Sequence, residues 1–341
     1  MIEALADEPS FVPDVYFTHA YGRVDALDRA GEWTSIATRS GTWQMPIVLT
    51  ELGDGLREAA SPYGYSGIHV GDDLATADAA DAWSSGAAIL RDLGVVSLFL
   101  RFSPFEPRSV PLVTTLHGLT VRRSGTTYLV CTDDPSDMWD RMEGRSRTAV
   151  RKARQQGLTG LVRRVAREDL EPGSDFRTLY EGTMLRVGAA NRYIFDDAYY
   201  RGLVDALGAG LQVVEVREDG AVVASALMMR HGTRAHYHLS GSDPAASRRG
   251  ANAMLVWSML EWCAGSDVET CHLGGGVAEG DGLAVFKRSF GGQEAAFHVG
   301  QAIIDPVTYA RLTRERATQL ATTVSDLEQA DYFPAFRAGG G

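Results

Sequence analysis

Between Leu211 and Ile304 the hydrophobic period changes several times in a fixed order, and that order constrains the fold more than any other feature of the chain. Leu211–Arg217 and Ala221–Arg230 are alternating, β-rich runs around Glu218-Asp219-Gly220, a hairpin signal. Arg234–Ser240 (RAHYHLS) reads as a third strand. A polar, glycine-containing loop follows, Gly241–Gly250 (GSDPAASRRG). Asn252–Ala264 (NAMLVWSMLEWCA) is apolar on most faces, which predicts a buried helix. Glu269–Gly274 is then a short strand, Leu283–Phe290 a short helix and Ala296–Ile304 a last strand. Hairpin, strand, loop, buried helix, strand, helix, strand describes an α/β (α+β) unit: a mixed, mainly antiparallel sheet with flanking helices.

At 341 residues the chain is long enough for two such units. In the first half, Met45–Glu51 reads as a strand before a Gly-Asp-Gly turn, Ala77–Leu93 as a helix, and Val95–Phe102 and Thr126–Cys131 as strands. Asp137 or Ser136 is placed to cap a helix that begins near Met138 and carries basic residues. Asp175–Ala190 and Ala198–Leu207 read as further helices, and Asp305–Arg337 as a helical tail returning to the first domain. The expected division is residues 1–140 plus 305–341 in the first domain and 141–304 in the second, with Gly339–Gly341 disordered.

Composition excludes several classes. The formal charge of −11 argues against a protein that coats nucleic acid, so a nucleic-acid partner needs a local basic patch. The longest apolar stretches, such as Gly94–Leu100, are too short to span a bilayer. The opening MIEALADEPSF lacks the basic and apolar regions of a signal peptide. Three cysteines form no disulfide framework and no zinc spacing, so a reducing, cytoplasmic setting and no metal are expected.

Of 33 basic residues only Lys152 and Lys287 are lysine, and where arginine is the default cation a retained lysine suggests a need for a compact ammonium. Lys287 sits in Phe286-Lys287-Arg288-Ser289-Phe290-Gly291-Gly292, preceded by His272-Leu273-Gly274-Gly275-Gly276 and Asp281. This string resembles the FemABX family of aminoacyl-tRNA-dependent peptidyl transferases. Phe176–Tyr193, with Thr183, Met184, Arg186 and Tyr193, and Arg147–Gly157 resemble the same family, as do Ser61–Gly67 and Arg101–Pro104 in the first half. No sustained heptads occur, so the resemblance is to a compact member without a coiled-coil arm.

The resemblance implies two GNAT-like acyltransferase domains with a cleft between or beside them. It implies transfer of an amino acid from aminoacyl-tRNA to the free amine of a peptide or peptide-like acceptor. That acceptor is a peptidoglycan precursor or a peptide-antibiotic intermediate, nucleotide- or carrier-linked in some cases. The donor ester is already activated, so no cofactor is expected, and a monomer is the default. Lys287 is then the group that offsets charge on the tetrahedral oxygen or departing ribose, with the backbone N–H of Phe286 a candidate to share the task.

A general base is harder to assign. His236 and His238 alternate with Tyr237, so simple alternation places both imidazoles on one face. His238 is the candidate base, His272 a weaker one, and substrate-assisted proton transfer needs neither. Arg186, Tyr193, Tyr237, His236, Tyr63, Tyr65 and Arg101 are candidate acceptor contacts, core packing being the alternative for each tyrosine.

For tRNA phosphate, Arg145–Arg167 holds eight basic residues and no acidic one. Arg147, Arg151 and Arg154 share a helical face, and Lys152 lies off it. Arg248 and Arg249 are further phosphate candidates. Pairing with neighbours such as Asp137, Asp140 and Glu143 is the alternative for the basic face. Ser247–Asn252 keeps only the central Gly250 of the Q/R-x-x-G-x-G/A string that cradles the pyrophosphate of CoA, which weakens an acyl-CoA reading. The alternatives are a GNAT N-acyltransferase using acyl-CoA or a carrier-bound acyl group, and a non-catalytic binding module.

Overall fold

Apolar alternation builds the strands of two compact units: Met1–Ser124 with Phe297–Gly341, and Gly125–Ala296. The computed structural model describes residues 1–190, 193–276, 278–330 and 332–339. Asn191 and Arg192 of the family-like helix string, and Gly340 and Gly341 of the glycine tail, lie outside the described residues.

In the first unit the strand order is β1 (Ile2–Leu5), β2 (Glu32–Thr38), β3 (Trp43–Gly53), β4 (Leu56–Ala60), β6 (Val95–Arg101) and β13 (Gln293–Ile303), with β5 (His69–Val70) pairing β3. Neighbours are antiparallel except β4 and β6, which run parallel. The inward residues of this sheet, among them Trp43, Met45, Ile47, Leu98 and Leu100, form its core. The helices are α1 (His19–Asp28), α2 (Thr76–Asp92), α3 (Ser109–Val113), α11 (Pro306–Gln319) and α12 (Val324–Gln329). The tail packs Tyr309 and Phe336 against Val96, and Arg337 pairs with Glu58 at 2.7 Å.

In the second unit the order is β7 (Thr120–Cys131), β12 (Thr270–Gly275), β11 (Arg234–Ser242), β10 (Ala221–His231), β9 (Leu211–Glu218) and β8 (Thr159–Arg164). Only β11 and β12 run parallel. Around this sheet lie α4 (Pro135–Arg141), α5 (Gly144–Gln155), α6 (Asp175–Arg186), α7 (Asp197–Leu207), α8 (Pro244–Arg248), α9 (Ala251–Ala264) and α10 (Gly282–Arg288). The apolar run Asn252–Ala264 is buried as α9, whose Leu255, Trp257, Met259 and Leu260 pack with Val214, Ala226 and Leu273. Both units are thus mixed, mainly antiparallel sheets with flanking helices, the fold class the element order predicts.

Local details depart from the sequence reading. Asp134, not Asp137 or Ser136, caps the helix after β7, its carboxylate accepting from the Ser136 N–H at 2.7 Å. Pro135 follows it at the first helical position, where the missing N–H costs nothing. The basic residues occupy a separate helix, α5. The loop Gly241–Gly250 contains α8, started by Asp243, and the helix expected over Asp175–Ala190 ends at Arg186. The chain passes between units inside β7, at Ser124 and Gly125, and returns inside β13, at Ala296 and Phe297. Among the described residues no helix is long and apolar enough to cross a membrane.

Candidate functional site

The parallel pair β11 and β12 is in register only over Arg234–His236 and Thr270–His272. Beyond those residues the two strands show no ladder among the described residues, and the point where they part is called the notch. Tyr237 and His238 leave the ladder on one side, Leu273–Gly275 on the other.

Lys287 points into this region. It is 8 % exposed, its Nζ donates to the Gly275 carbonyl oxygen at 2.7 Å, and it lies 5.9 Å from the Tyr237 ring centroid. Burial pushes the ammonium down to about 8, with Asp281 acting in the opposite direction. The group is therefore charged at pH 7 and loses its proton within a mildly alkaline range.

The residues around Lys287 explain the rest of its string. Asp281 caps α10, accepting from Ala284 N–H at 2.7 Å. Phe286 and Phe290 pack edge to face at 5.1 Å. Phe286 is the fifth residue of α10, so helix geometry turns its amide toward the Gly282 carbonyl. The start of α5 braces this helix: Glu143 N–H donates to the Ser289 carbonyl at 2.9 Å, and the Arg145 guanidinium donates to the Val285 carbonyl at 2.9 Å. The Ser146 and Ser289 hydroxyls also bond each other.

The histidines do not form one line. The β10–β11 register runs from Leu227 opposite Leu239 to Met228 opposite Tyr237, so His238 is the extra residue of a bulge. Its Nε2 bonds the Tyr199 hydroxyl at 2.8 Å, and burial first, then His236, pushes it down to about 3. His238 is thus a neutral hydrogen-bonding group throughout the physiological range. His236 is buried and meets His272, Nδ1 to Nδ1, at 3.2 Å, so one ring donates and the other accepts. Burial, then His236 and Lys287, hold His272 well below the usual imidazole range. Burial pushes the Tyr237 phenol up, so it keeps its proton where Lys287 titrates.

Arg186 extends from α6, exposed, donating to Thr183 Oγ1 at 3.1 Å and the Ser242 carbonyl at 3.3 Å. Thr183 Oγ1 also accepts from the Ser242 N–H at 3.1 Å, which ties α6 to the end of β11. The Tyr193 carbonyl accepts from the Tyr180 hydroxyl at 2.7 Å. In the first unit, the Tyr63 carbonyl accepts from the Tyr21 hydroxyl at 2.6 Å. Tyr65 packs on Phe297 at 5.2 Å, and the Arg101 guanidinium lies 5.0 Å from the Phe99 centroid.

The basic candidates separate by what they already hold. Arg147 donates to the carbonyls of Trp139, Asp140 and Met142 at 3.3, 3.0 and 2.7 Å, satisfying the end of α4. Arg154 pairs with Glu261 at 3.2 Å and Arg249 with Glu218. Arg151, exposed, lies 5.2 Å from the Trp139 ring. Lys152 donates to the Arg248 carbonyl at 3.1 Å, which sets its ammonium beside the exposed Arg248. Among the described residues no carboxylate pairs with Arg151, Lys152 or Arg248.

Part of the loop that would cradle a pyrophosphate is occupied from within. The amides of Ser247, Arg249 and Gly250 donate to the Asp243, Ala246 and Ser247 carbonyls inside α8 and its cap. A Cβ on Gly250 would lie 2.5 Å from the Ala149 carbonyl oxygen, so α5 backbone closes over the start of α9.

Three neighbours of the candidate residues were not singled out by the sequence reading. Tyr199 reaches His238 from α7, and no spacing relates them. Trp139 lies under Arg151 and Arg154. Asp281 was read only as part of the string, although an aspartate opening an apolar run is a helix-start signal.

Comparison with known proteins agrees with this architecture. Residues 141–288 match the acetyltransferase (GNAT) domain family. No curated protein matches the chain. Among solved structures, FemX matches with a TM-score of 0.69 at 15 % identity, over 87 % of this chain and 94 % of that one. The C-terminal domain of a lysylphosphatidylglycerol synthetase from Agrobacterium fabrum matches at 0.56 and 19 %, over 89 % and 95 %. A tandem GNAT protein from the clavulanic acid biosynthesis pathway matches at 0.52 and 11 %, over 90 % and 99 %.

Proposed function

The chain has a FemABX-like tandem GNAT fold, and from that premise we propose that it transfers the amino acid of an aminoacyl-tRNA to the free amine of a peptide or peptide-like acceptor. The observation that carries the proposal is the buried ammonium of Lys287, held at the Gly275 carbonyl beside the notch between β11 and β12. A buried cation is costly to keep and is the kind of perturbed group that clusters at functional sites.

In the proposed reaction the acceptor nitrogen attacks the ester carbonyl carbon. A C–N bond forms, and the C–O bond to the ribose breaks. The proton lost by the amine ends on the departing ribose oxygen. Negative charge appears first on the carbonyl oxygen and then on that leaving oxygen. Lys287, roughly nine-tenths protonated at pH 7 by its value of about 8, offsets it. One such donor is worth about 3 kcal/mol of barrier. His238 holds the Tyr199 hydroxyl as a neutral partner, so the amine proton leaves through substrate or solvent in this scheme.

Arg151, Lys152 and Arg248 supply the phosphate contacts for tRNA. Arg186, whose partners among the described residues are neutral, has its charge available for an acceptor carboxylate or phosphate. Within the second unit Tyr193 and Tyr237 remain proposed acceptor contacts, while His236 is buried against His272. Against acyl-CoA as donor stands the α8 loop, where the amides of Ser247, Arg249 and Gly250 already donate to carbonyls of the chain. A cell-wall precursor and an antibiotic peptide are both acceptors of the required chemistry.

The test is transfer of labelled amino acid to candidate amines, with synthetase and tRNA, in the presence and absence of ribonuclease. Transfer abolished by ribonuclease supports the reading. Transfer that needs added acyl-CoA replaces the donor, and no transfer in either case removes catalysis.

A further inference from the structure

Lys287 is placed by more than its own helix. The strand β12 ends in Gly274-Gly275-Gly276, and the Gly275 carbonyl is the acceptor for the ammonium. The next glycine is pressed against Asp281: a Cβ on Gly276 would lie 2.3 Å from Asp281 Oδ1 and 2.9 Å from the Ala278 carbonyl oxygen. The same carboxylate uses both oxygens. Oδ1 accepts from the Ala284 N–H in the first turn of α10 at 2.7 Å, and Oδ2 accepts from the Ala278 N–H at 2.9 Å. One side chain therefore joins the segment leaving the lysine's acceptor to the helix carrying the lysine.

We propose that Asp281 is the positioning residue for Lys287, a clamp that holds the ammonium at the Gly275 carbonyl. This rests on the reading of Lys287 as the charge-stabilising group of an amino-acid transfer. The charged and titratable groups facing Lys287 are Tyr237 from β11, His272 from β12 and Asp281 before α10. Arg288 follows it on the same helix. Tyr237 and His272 are neutral where Lys287 titrates, so Asp281 is the group among them that favours the ammonium.

The chain's composition provides a direct measurement. Protein grown on lysine carrying carbon-13 at Cε gives two lysine resonances, from Lys152 and Lys287, and that of Lys287 is followed against pH. Asp281→Asn keeps an oxygen for the helix cap and removes the charge, and Asp281→Ser keeps a capping hydroxyl. In both variants the Lys287 midpoint falls by about one pH unit, while an unchanged circular dichroism spectrum shows that the fold is kept. The alkaline limb of transfer activity falls with it. A Lys287 midpoint unchanged in both variants overturns the positioning role, whatever the transfer assay gives. A wild type with no transfer overturns the functional reading and leaves the midpoint test standing.

Discussion

The Lys287 ammonium donates to the Gly275 carbonyl at 2.7 Å, so the glycine run and the FKRSFGG string meet at one hydrogen bond. A carbonyl is a weak partner for a buried cation compared with a carboxylate. It holds the ammonium in place without neutralising it, which leaves the charge available to a developing oxyanion.

Replacement of Lys287 separates activity from folding. Lys287→Ala is expected to lose an order of magnitude or more in transfer rate while keeping the wild-type circular dichroism spectrum. Lys287→Met, which fills the apolar part of the site without a charge, is expected to be inactive and more stable at pH 7 by about 1–3 kcal/mol, since the desolvation penalty disappears. Urea midpoints of the two variants, beside single-turnover rates, check both parts. Full activity in Lys287→Ala removes the residue from the mechanism.

The pH dependence follows from the direction of the Lys287 shift. Its folded value, about 8, is below the ordinary lysine value of 10.5. The unfolded chain therefore binds more protons between those values, and this group makes stability rise with pH across that window. Below about pH 8 the penalty for the buried ammonium is fully present. Activity moves the other way: it falls above about pH 8 as the ammonium is lost, while its acid limb follows the acceptor amine. A rate profile whose alkaline limb is the same in the wild type and in Lys287→Arg, where the charge persists, contradicts the assignment.

Sequence reading reached local features and stopped where distant chain segments decide. The hairpin at Glu218–Ala221 was legible because two β-branched runs flank an Asp-Gly turn, and Glu218 does pair with Ala221. The buried helix α9 was legible because its apolar residues surround the axis. The histidine alternation failed at one inserted residue, since a bulge at His238 leaves no mark in composition. The caps at Asp134 and Asp243 were present as Asp-Pro pairs, but helices of seven and five residues are too short to show a period. The passage between units was hidden because it occurs within strands, where no proline or glycine cluster marks a linker. Arginine partners were illegible for a plainer reason: Glu261 and Glu218 lie 107 and 31 residues from the arginines they hold.

Gly250 tests the closure of α5 over α9. Its φ is +101°, a conformation costly for any other residue, and an added Cβ meets the Ala149 carbonyl at 2.5 Å. Gly250→Ala is expected to cost about 3 kcal/mol, read as a lowered urea midpoint. A variant as stable as the wild type would show that α5 yields there, reopening the start of α9 to a phosphate ligand.

The basic residues divide into two sets with opposite phenotypes. Arg147 and Arg249 are spent within the chain, on three carbonyls and on Glu218. Arg147→Ala is expected to lower stability by about 1 kcal/mol, Arg249→Ala to change it little, and both to leave the salt dependence of tRNA binding unchanged. Arg151 and Arg248 have no carboxylate partner among the described residues, and Lys152 fixes the backbone of Arg248. Arg151→Gln and Arg248→Gln should each reduce the slope of log affinity against log salt by roughly 0.7–0.9, the release of counterions from one phosphate contact. Fluorescence anisotropy with labelled tRNA at several salt concentrations measures this directly. If Arg147 and Arg249 carry the slope and Arg151 and Arg248 do not, the basic surface used by tRNA is elsewhere on the second unit, and the division by partners is wrong.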